Sequence, residues 1–166
     1  MRTFKSPYAD EAVMVHAPAI ISADTLNPAH VVPILSHFLA DIEREAGHPY
    51  PGDHGIPDGA WQDTDHRFWA SEEANELWTE LEEAIQEHAP PYCFVGGGEG
   101  DGACIGVWAD VYSALEDFRE EGLVFDDGAD VPEDHEGLWL HISDHGNAAL
   151  LFRDAHGRDT ELWAVV

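Results

Sequence analysis

Basic side chains are what this sequence lacks. Lys5 is its only lysine, and seven Lys and Arg together face thirty-four Asp and Glu, for a formal net charge of −27. A field of that sign repels nucleic acid, phosphorylated metabolites and anionic membranes, so direct nucleic-acid binding and membrane attachment are not expected; it favours cations and basic proteins. Cysteine is nearly missing too. Cys93 and Cys104 are too few for a disulfide framework. They flank a glycine-rich turn where they could face each other across a hairpin, but two buried free thiols in a reducing cytosol are the preferred reading. No apolar run approaches the roughly 18 residues of a membrane-spanning helix. The stretch Met1 to Asp10 has no apolar centre of the kind a signal peptide carries, so a soluble cytoplasmic protein is expected. Internal repeats and long linkers are missing as well.

What is present argues for a folded domain. The 166 residues suit one domain, 1–166, with a core of its own. A hydrophobic content of 44% with six Trp excludes disorder despite the charge. Self-repulsion of this size costs stability, and the fold must tolerate it.

Along the chain, Ala12 to His16 and Ala19 to Ser22 read as short strands interrupted by Pro18. Asn27-Pro28 can open a helix as cap and first-turn proline, although Pro33 makes a later start equally plausible. From Pro33, Ile34, Leu35, Phe38, Leu39 and Ile42 recur at helical spacing to about Ala46. His48 to Asp65 reads as loop, rich in turn residues that include Pro51, Gly52, Gly55, Pro57 and Gly59. Ser71 then caps a helix to about His88 with Ala74, Leu77, Trp78, Leu81 and Ile85 inward, stopped by Pro90 and Pro91.

The second half changes period. Tyr92 to Val95 and Ala103 to Ala109 read as strands around a turn Gly96 to Gly102. Asp110 caps a helix from Val111 to Glu121, with Val111, Leu115 and Phe118 inward and Gly122 as its stop. Leu123 to Phe125 reads as a short strand before the acidic loop Asp126 to Glu136. Leu138 to Ile142, Ala148 to Phe152 and Glu161 to Val166 are strands at hairpin spacing. Strands and helices are segregated, so the fold class is α+β: an antiparallel sheet, hairpin-rich in the C-terminal half, with two or three helices packed on it.

The helix after Ser71 is the most informative segment. Every ionisable group in it before His88 is acidic: Glu72, Glu73, Glu76, Glu80, Glu82, Glu83 and Glu87. No Lys or Arg occupies the i+4 positions that would support the helix, and each like-charged pair there is unfavourable by about 0.2–0.5 kcal/mol. The helix dipole excuses the first-turn glutamates but not Glu83 and Glu87. From Glu72 to Glu87 the helix rises about 22 Å, or one carboxylate per roughly 4 Å. A DNA strand carries one phosphate per about 3.4 Å. The pattern recurs in Asp110, Glu116, Asp117, Glu120 and Glu121 around Arg119, and in Asp126, Asp127, Asp130, Glu133 and Asp134 with no base among them.

By size and by this distribution of charge, the chain resembles the DNA-mimic proteins of phages and mobile elements: anti-restriction proteins, some anti-CRISPR proteins and inhibitors of uracil-DNA glycosylase. The resemblance implies a compact acidic inhibitor, often a homodimer, that blocks the nucleic-acid site of a basic protein or nuclease complex in the host cytoplasm. No family motif is matched residue by residue, and no site is carried over. From the residues themselves, the candidate partner-binding set is Glu72, Glu73, Glu76, Glu80, Glu83, Glu87, Glu116, Glu120, Asp126, Asp127, Asp130, Glu133 and Asp134.

Catalytic chemistry has weaker signals, and no enzyme activity, cofactor or resident metal is expected. Eleven histidines include the pairs Asp53-His54, Asp65-His66, Asp134-His135 and Asp144-His145, but His-Glu-x-x-His and Cys-x-x-Cys are missing. His141 sits on a strand and His145 in a turn, and His30 and His37 are seven apart among apolar residues. Gly96 to Gly102 fits neither phosphate fingerprint, and Glu99 and Asp101 would repel a phosphate, so a flexible hairpin connection is expected. The loop Asp126 to Asp134 lacks the ligand order of an EF-hand. No Gly-x-Ser-x-Gly elbow exists, and neither cysteine has a basic neighbour in sequence. Trp61 and Trp69 flank a loop as potential exposed anchors, core packing being the stronger expectation. The competing readings are an ordinary domain adapted to high salt and a His/Asp metal-dependent hydrolase.

Overall fold

The computed structural model describes residues 3–7, 12–48 and 55–166; the pair Asp53-His54 and the turn residues Pro51 and Gly52 lie outside them. Three helices begin where polar caps place them. The Asn27 side chain accepts from Ala29 N at 3.0 Å and opens α1 (Pro28–Glu45), which carries Pro33 inside it rather than starting there. Ser71 Oγ accepts from Ala74 N at 3.4 Å and opens α2 (Glu72–Gln86), which stops two residues before His88. Asp110 caps α3 (Val111–Glu121), and Gly122, left-handed at φ 73°, ends it as expected.

The strands form three groups. β1 (Thr3–Lys5) and β2 (Val13–Val15) make an antiparallel ribbon. β3 (Ala19–Ser22), β4 (Cys93–Gly98) and β5 (Asp101–Ala109) form an antiparallel sheet in the order β3-β5-β4. β6 (Val124–Phe125), β7 (Gly137–Ile142), β8 (Ala148–Arg153) and β9 (Asp159–Val165) follow in sequence order in a second sheet. The α+β class is as expected; the single antiparallel sheet is not. β6 pairs parallel to β7, because the acidic loop returns the chain to the same end before β7 begins, so this sheet is mixed.

One apolar cluster runs through both sheets and all three helices. Val31, Val32, Leu35 and Ile42 of α1 meet Ala74, Leu81 and Ile85 of α2, Ile105 and Val107 of β5, and Leu140, Leu150 and Trp163 of the second sheet. Trp163 joins the sheets: its indole donates to Pro91 O at 2.8 Å and its backbone bridges Ala17. Trp69 is buried with its indole on Asp63 O, while Trp61 is half-buried and stacks on His37 at 5.3 Å; the 3-10 turn Ala60–Gln62 gives the stretch read as loop some regular structure, and a second, Arg67–Ala70, follows it.

The glycine run is strand, not loop. β4 continues to Gly98 and β5 begins at Asp101, leaving Glu99 and Gly100 as the turn. The reason is Trp108. Its indole lies across the backbone of Gly98 and Gly106 and donates to Gly96 O at 2.9 Å. A Cβ at Gly98 would stand 3.1 Å from the ring, and one at Gly106 would meet both the ring at 2.8 Å and Ala19 O. The same register separates the cysteines: Cys93 pairs with Ala109, so the thiols do not face each other. Cys93 is buried, which pushes its thiol up to about 12, and Cys104 is only half-buried. The outer edge of β4 is met by a side chain: Gln86 donates to Cys93 O at 2.9 Å and accepts from Val95 N at 2.8 Å.

Arg153 holds the acidic loop. It is 8% exposed and pairs with Asp159 through Nε at 2.9 Å and Nη2 at 2.8 Å, while donating to Val131 O and Gly128 O. Trp139 stacks beneath the guanidinium at 5.7 Å and sends its own N–H to Asp159. Arg153→Ala leaves Asp159 with the Trp139 indole alone and takes a donor from two carbonyls, and is expected to cost about 2–3 kcal/mol, read by urea denaturation. The Arg153 guanidinium, ahead of the Trp139 indole, holds the Asp159 carboxyl below its usual value. The pair's contribution is therefore complete above the unfolded value of about 3.9 and fades as pH falls through the lower folded value. The stability gap between parent and Arg153→Ala should accordingly narrow below about pH 4; a constant gap would contradict the assignment. Gly106→Ala is expected to destabilise by about 1–3 kcal/mol and to shift Trp emission, since ring and Ala19 O must both move.

Candidate functional site

The α2 ridge follows from helical geometry. At about 100° per residue, Glu72, Glu76, Glu80, Glu83 and Glu87 fall within roughly 80° of arc. They lie opposite the stripe of Ala74, Leu77, Leu81 and Ile85, which packs toward α1 and β4. All five ridge carboxylates are exposed, and Glu87, at the helix end, keeps helical φ and ψ of −61° and −22°. Glu73 flanks the ridge and Glu82 is half-buried on the opposite flank. Counting the ridge alone, successive carboxylates are roughly 5–6 Å apart, wider than one strand's phosphate spacing of about 3.4 Å. The match in spacing needs the flanking Glu73 and Glu82; the match in sign does not.

The remaining acidic candidates gather elsewhere. Glu116 and Glu120 project from α3 on the side away from buried Ala114 and Phe118. Asp126, Asp127, Asp130, Glu133 and Asp134 are all exposed on the loop after β6, the strand against which α3 packs. Asp127 spends one oxygen on Ala129 N at 2.9 Å, opening the 3-10 turn Gly128–Asp130. The structure thus places α3 and the loop in one layer with the second sheet, and the α2 ridge in another with α1 and β4. Tyr92 links the two: its hydroxyl donates to Asp117 at 3.0 Å, and burial, then Asp117 and Glu121, raise its pKa.

Among the described residues, none of the thirteen candidate carboxylates forms an ion pair. The arginines Arg44, Arg153 and Arg158 are taken by Asp41, Asp159 and Asp154 at 2.6, 2.8 and 2.7 Å. At Glu73 the Ser71 hydroxyl first, then the residue's own amide and last Arg67 keep the carboxyl below the usual range. The anions therefore remain available to an external partner.

The histidine pairs do not converge. His66 Nδ1 accepts from Phe68 N and His135 reaches Leu138 O, both local backbone contacts, and His141 reaches the backbone of Asp126 fifteen residues away. His145 lies 3.7 Å from Asp144, both more than four-fifths exposed. Among the described residues, no three His, Cys, Asp or Glu stand close enough to hold a metal ion, and no helix is long and apolar enough to cross a membrane. Compared with known proteins, the chain matches no family model, no curated protein and no solved structure.

Sequence reasoning missed Arg153, the residue that fixes the acidic loop. An arginine alternating inward on an otherwise apolar strand, six residues before an aspartate, was the available signal. If the ridge is unfavourable to its own helix, Glu83→Gln and Glu87→Gln should raise the thermal midpoint, most at low salt, where screening is weakest. A lowered midpoint in scanning calorimetry would mean that these carboxylates serve the fold.

Proposed function

We propose that this protein acts by docking its acidic surface on the basic, nucleic-acid-binding site of another protein, competing there with the nucleic acid itself. The observation that carries the reading is the α2 ridge: five exposed glutamates aligned opposite the core, without a described ion-pair partner, at a cost to the helix. Carboxylates on α3 and on the Arg153-braced loop extend the negative field over a second layer. A partner lined with Lys and Arg for phosphates would meet this field with complementary charge, and encounter would be steered by it. The loop's attachment to buried Arg153 limits the ordering cost that a free loop would bring to binding.

The test is competition. Immobilised protein is offered a lysate at low ionic strength, and bound proteins are eluted with salt or with duplex DNA. Expected is a captured nucleic-acid-handling protein that both agents release, with affinity falling steeply as the Debye length drops below about 10 Å. The variant Glu76→Lys, Glu80→Lys, Glu83→Lys and Glu87→Lys should remain folded by circular dichroism and capture nothing. Undiminished capture by that variant, or a bound protein that duplex DNA cannot displace, would reject the reading.

A further inference from the structure

The outward face of the three-stranded sheet is built unlike the rest of the surface. Alternation along β4 and β5 sends Cys93, Ile105 and Val107 to the core and Phe94, Gly98, Cys104 and Trp108 to the other side. Ile20 pairs with Gly106 on this side and is 64% exposed. Along β4, and along β5 from Gly102 to Ala109, no charged residue stands on this face; Asp101, the first residue of β5, lies at its rim. Phe94 lies directly across from Trp108 in the register, and Tyr112, 78% exposed at the start of α3, adds a third ring. Phe94, Gly98, Cys104, Trp108 and Tyr112 line a cavity of about 800 Å³. That volume falls within the range of small-molecule sites, about 300–1,000 Å³. The Trp108 indole rests on Gly98 and Gly106 and lines the cavity.

The rim carries one sign of charge. Glu99, Asp101 and Asp110 line the cavity, and no Lys, Arg or His does so among the described residues. Asp110 accepts from Ser113 N at 3.0 Å and from Ser113 Oγ at 2.6 Å, and the Ser113 hydroxyl, then its amide, holds the carboxyl below the usual range. The α3 N-terminus would by itself favour an anion, but Asp110 already occupies that amide. A second copy of the chain is disfavoured as occupant, because it would bring an identical acidic rim against this one.

We propose that this cavity binds a small organic cation with a flat apolar body, its ring stacked on Trp108 between Phe94 and Tyr112 and its ammonium or guanidinium group turned to Glu99, Asp101 and Asp110. The aromatic side chains stack on the flat apolar body, and the carboxylates supply the countercharge to its cationic group. The site is independent of the α2 ridge, which faces away from this sheet across the core, so either proposal can fail without the other.

The test follows the indole N–H signals of the ¹⁵N-labelled full chain during titration at low ionic strength. Matched probes are tryptamine, 3-ethylindole and indole-3-propionate, with 1-naphthylmethylammonium as a second cation. The cations should shift the Trp108 signal saturably, the other Trp signals serving as internal control. The neutral analogue should bind about tenfold more weakly and the anion should not bind. The variant Glu99→Gln, Asp101→Asn and Asp110→Asn keeps the cap at Asp110 in amide form and should lower cation affinity to that of 3-ethylindole. The proposal is overturned if neither cation shifts Trp108 beyond the other indoles, if charge on the probe makes no difference, or if the variant binds like the parent. A Trp108 signal that moves on dilution without any probe would assign the face to a second copy and overturn it equally.

Discussion

Mutual repulsion among carboxylates is the constraint around which this molecule is organised. Thirty-four acidic side chains against seven basic ones cannot be neutralised internally, so the fold keeps its anions at the water boundary, where the dielectric weakens their interaction. Among the described residues the buried polar residues are Ser22, Ser36 and Arg153, and no acid is buried whole, although one oxygen of half-buried Glu43, Oε2, is shut off from water. Cohesion falls to apolar burial, from the α1–α2 pair to Trp163 at the seam of the sheets. The few cations are used locally: Arg44 and Arg158 reach carboxylates three and four residues away, closing turns of chain rather than lowering the overall field.

Arg153 departs from this pattern. It carries a positive charge inside, pairs it in a two-pronged geometry with Asp159, and donates two further N–H groups to carbonyls of the acidic loop. A stretch that would otherwise be pushed outward by its own aspartates is thus tethered to the sheet. The proposed binding surface and the structural anchor are separate here: the exposed acids of the loop form no ion pair among the described residues, while one buried cation fixes the backbone that bears them.

Much of the fold could be read from the residues because its signals are local. Ser71, Asp110 and Gly122 sit at helix ends for reasons of hydrogen bonding and φ, and the stripe of α2 repeats at helical period. What escaped was long-range. That β6 lies parallel to β7 depends on how the loop returns, which no periodicity encodes. Gly96 to Gly98 resemble a flexible turn until their neighbours are known: Gly98 is small because the Trp108 ring lies on it, Gly97 because the Gly102 backbone passes close, and Gly96 alone answers to a positive φ. The exposure of the candidate acids was legible from their type and spacing. Their division between two layers was not, since it depends on which helix packs against which sheet.

Gln86 also has a bearing on how copies of the molecule treat one another. By presenting a carbonyl and an amide to Val95 and Cys93, its side chain imitates one residue of a neighbouring strand. β4 is an edge strand, and such edges invite pairing with another chain unless lysine, proline or a covering element blocks them. This chain has almost no lysine to spend as a gatekeeper. A single glutamine closes the backbone at that point, and the shared negative charge keeps other molecules at a distance, so protection against fibrous self-assembly is divided between one amide and the whole surface.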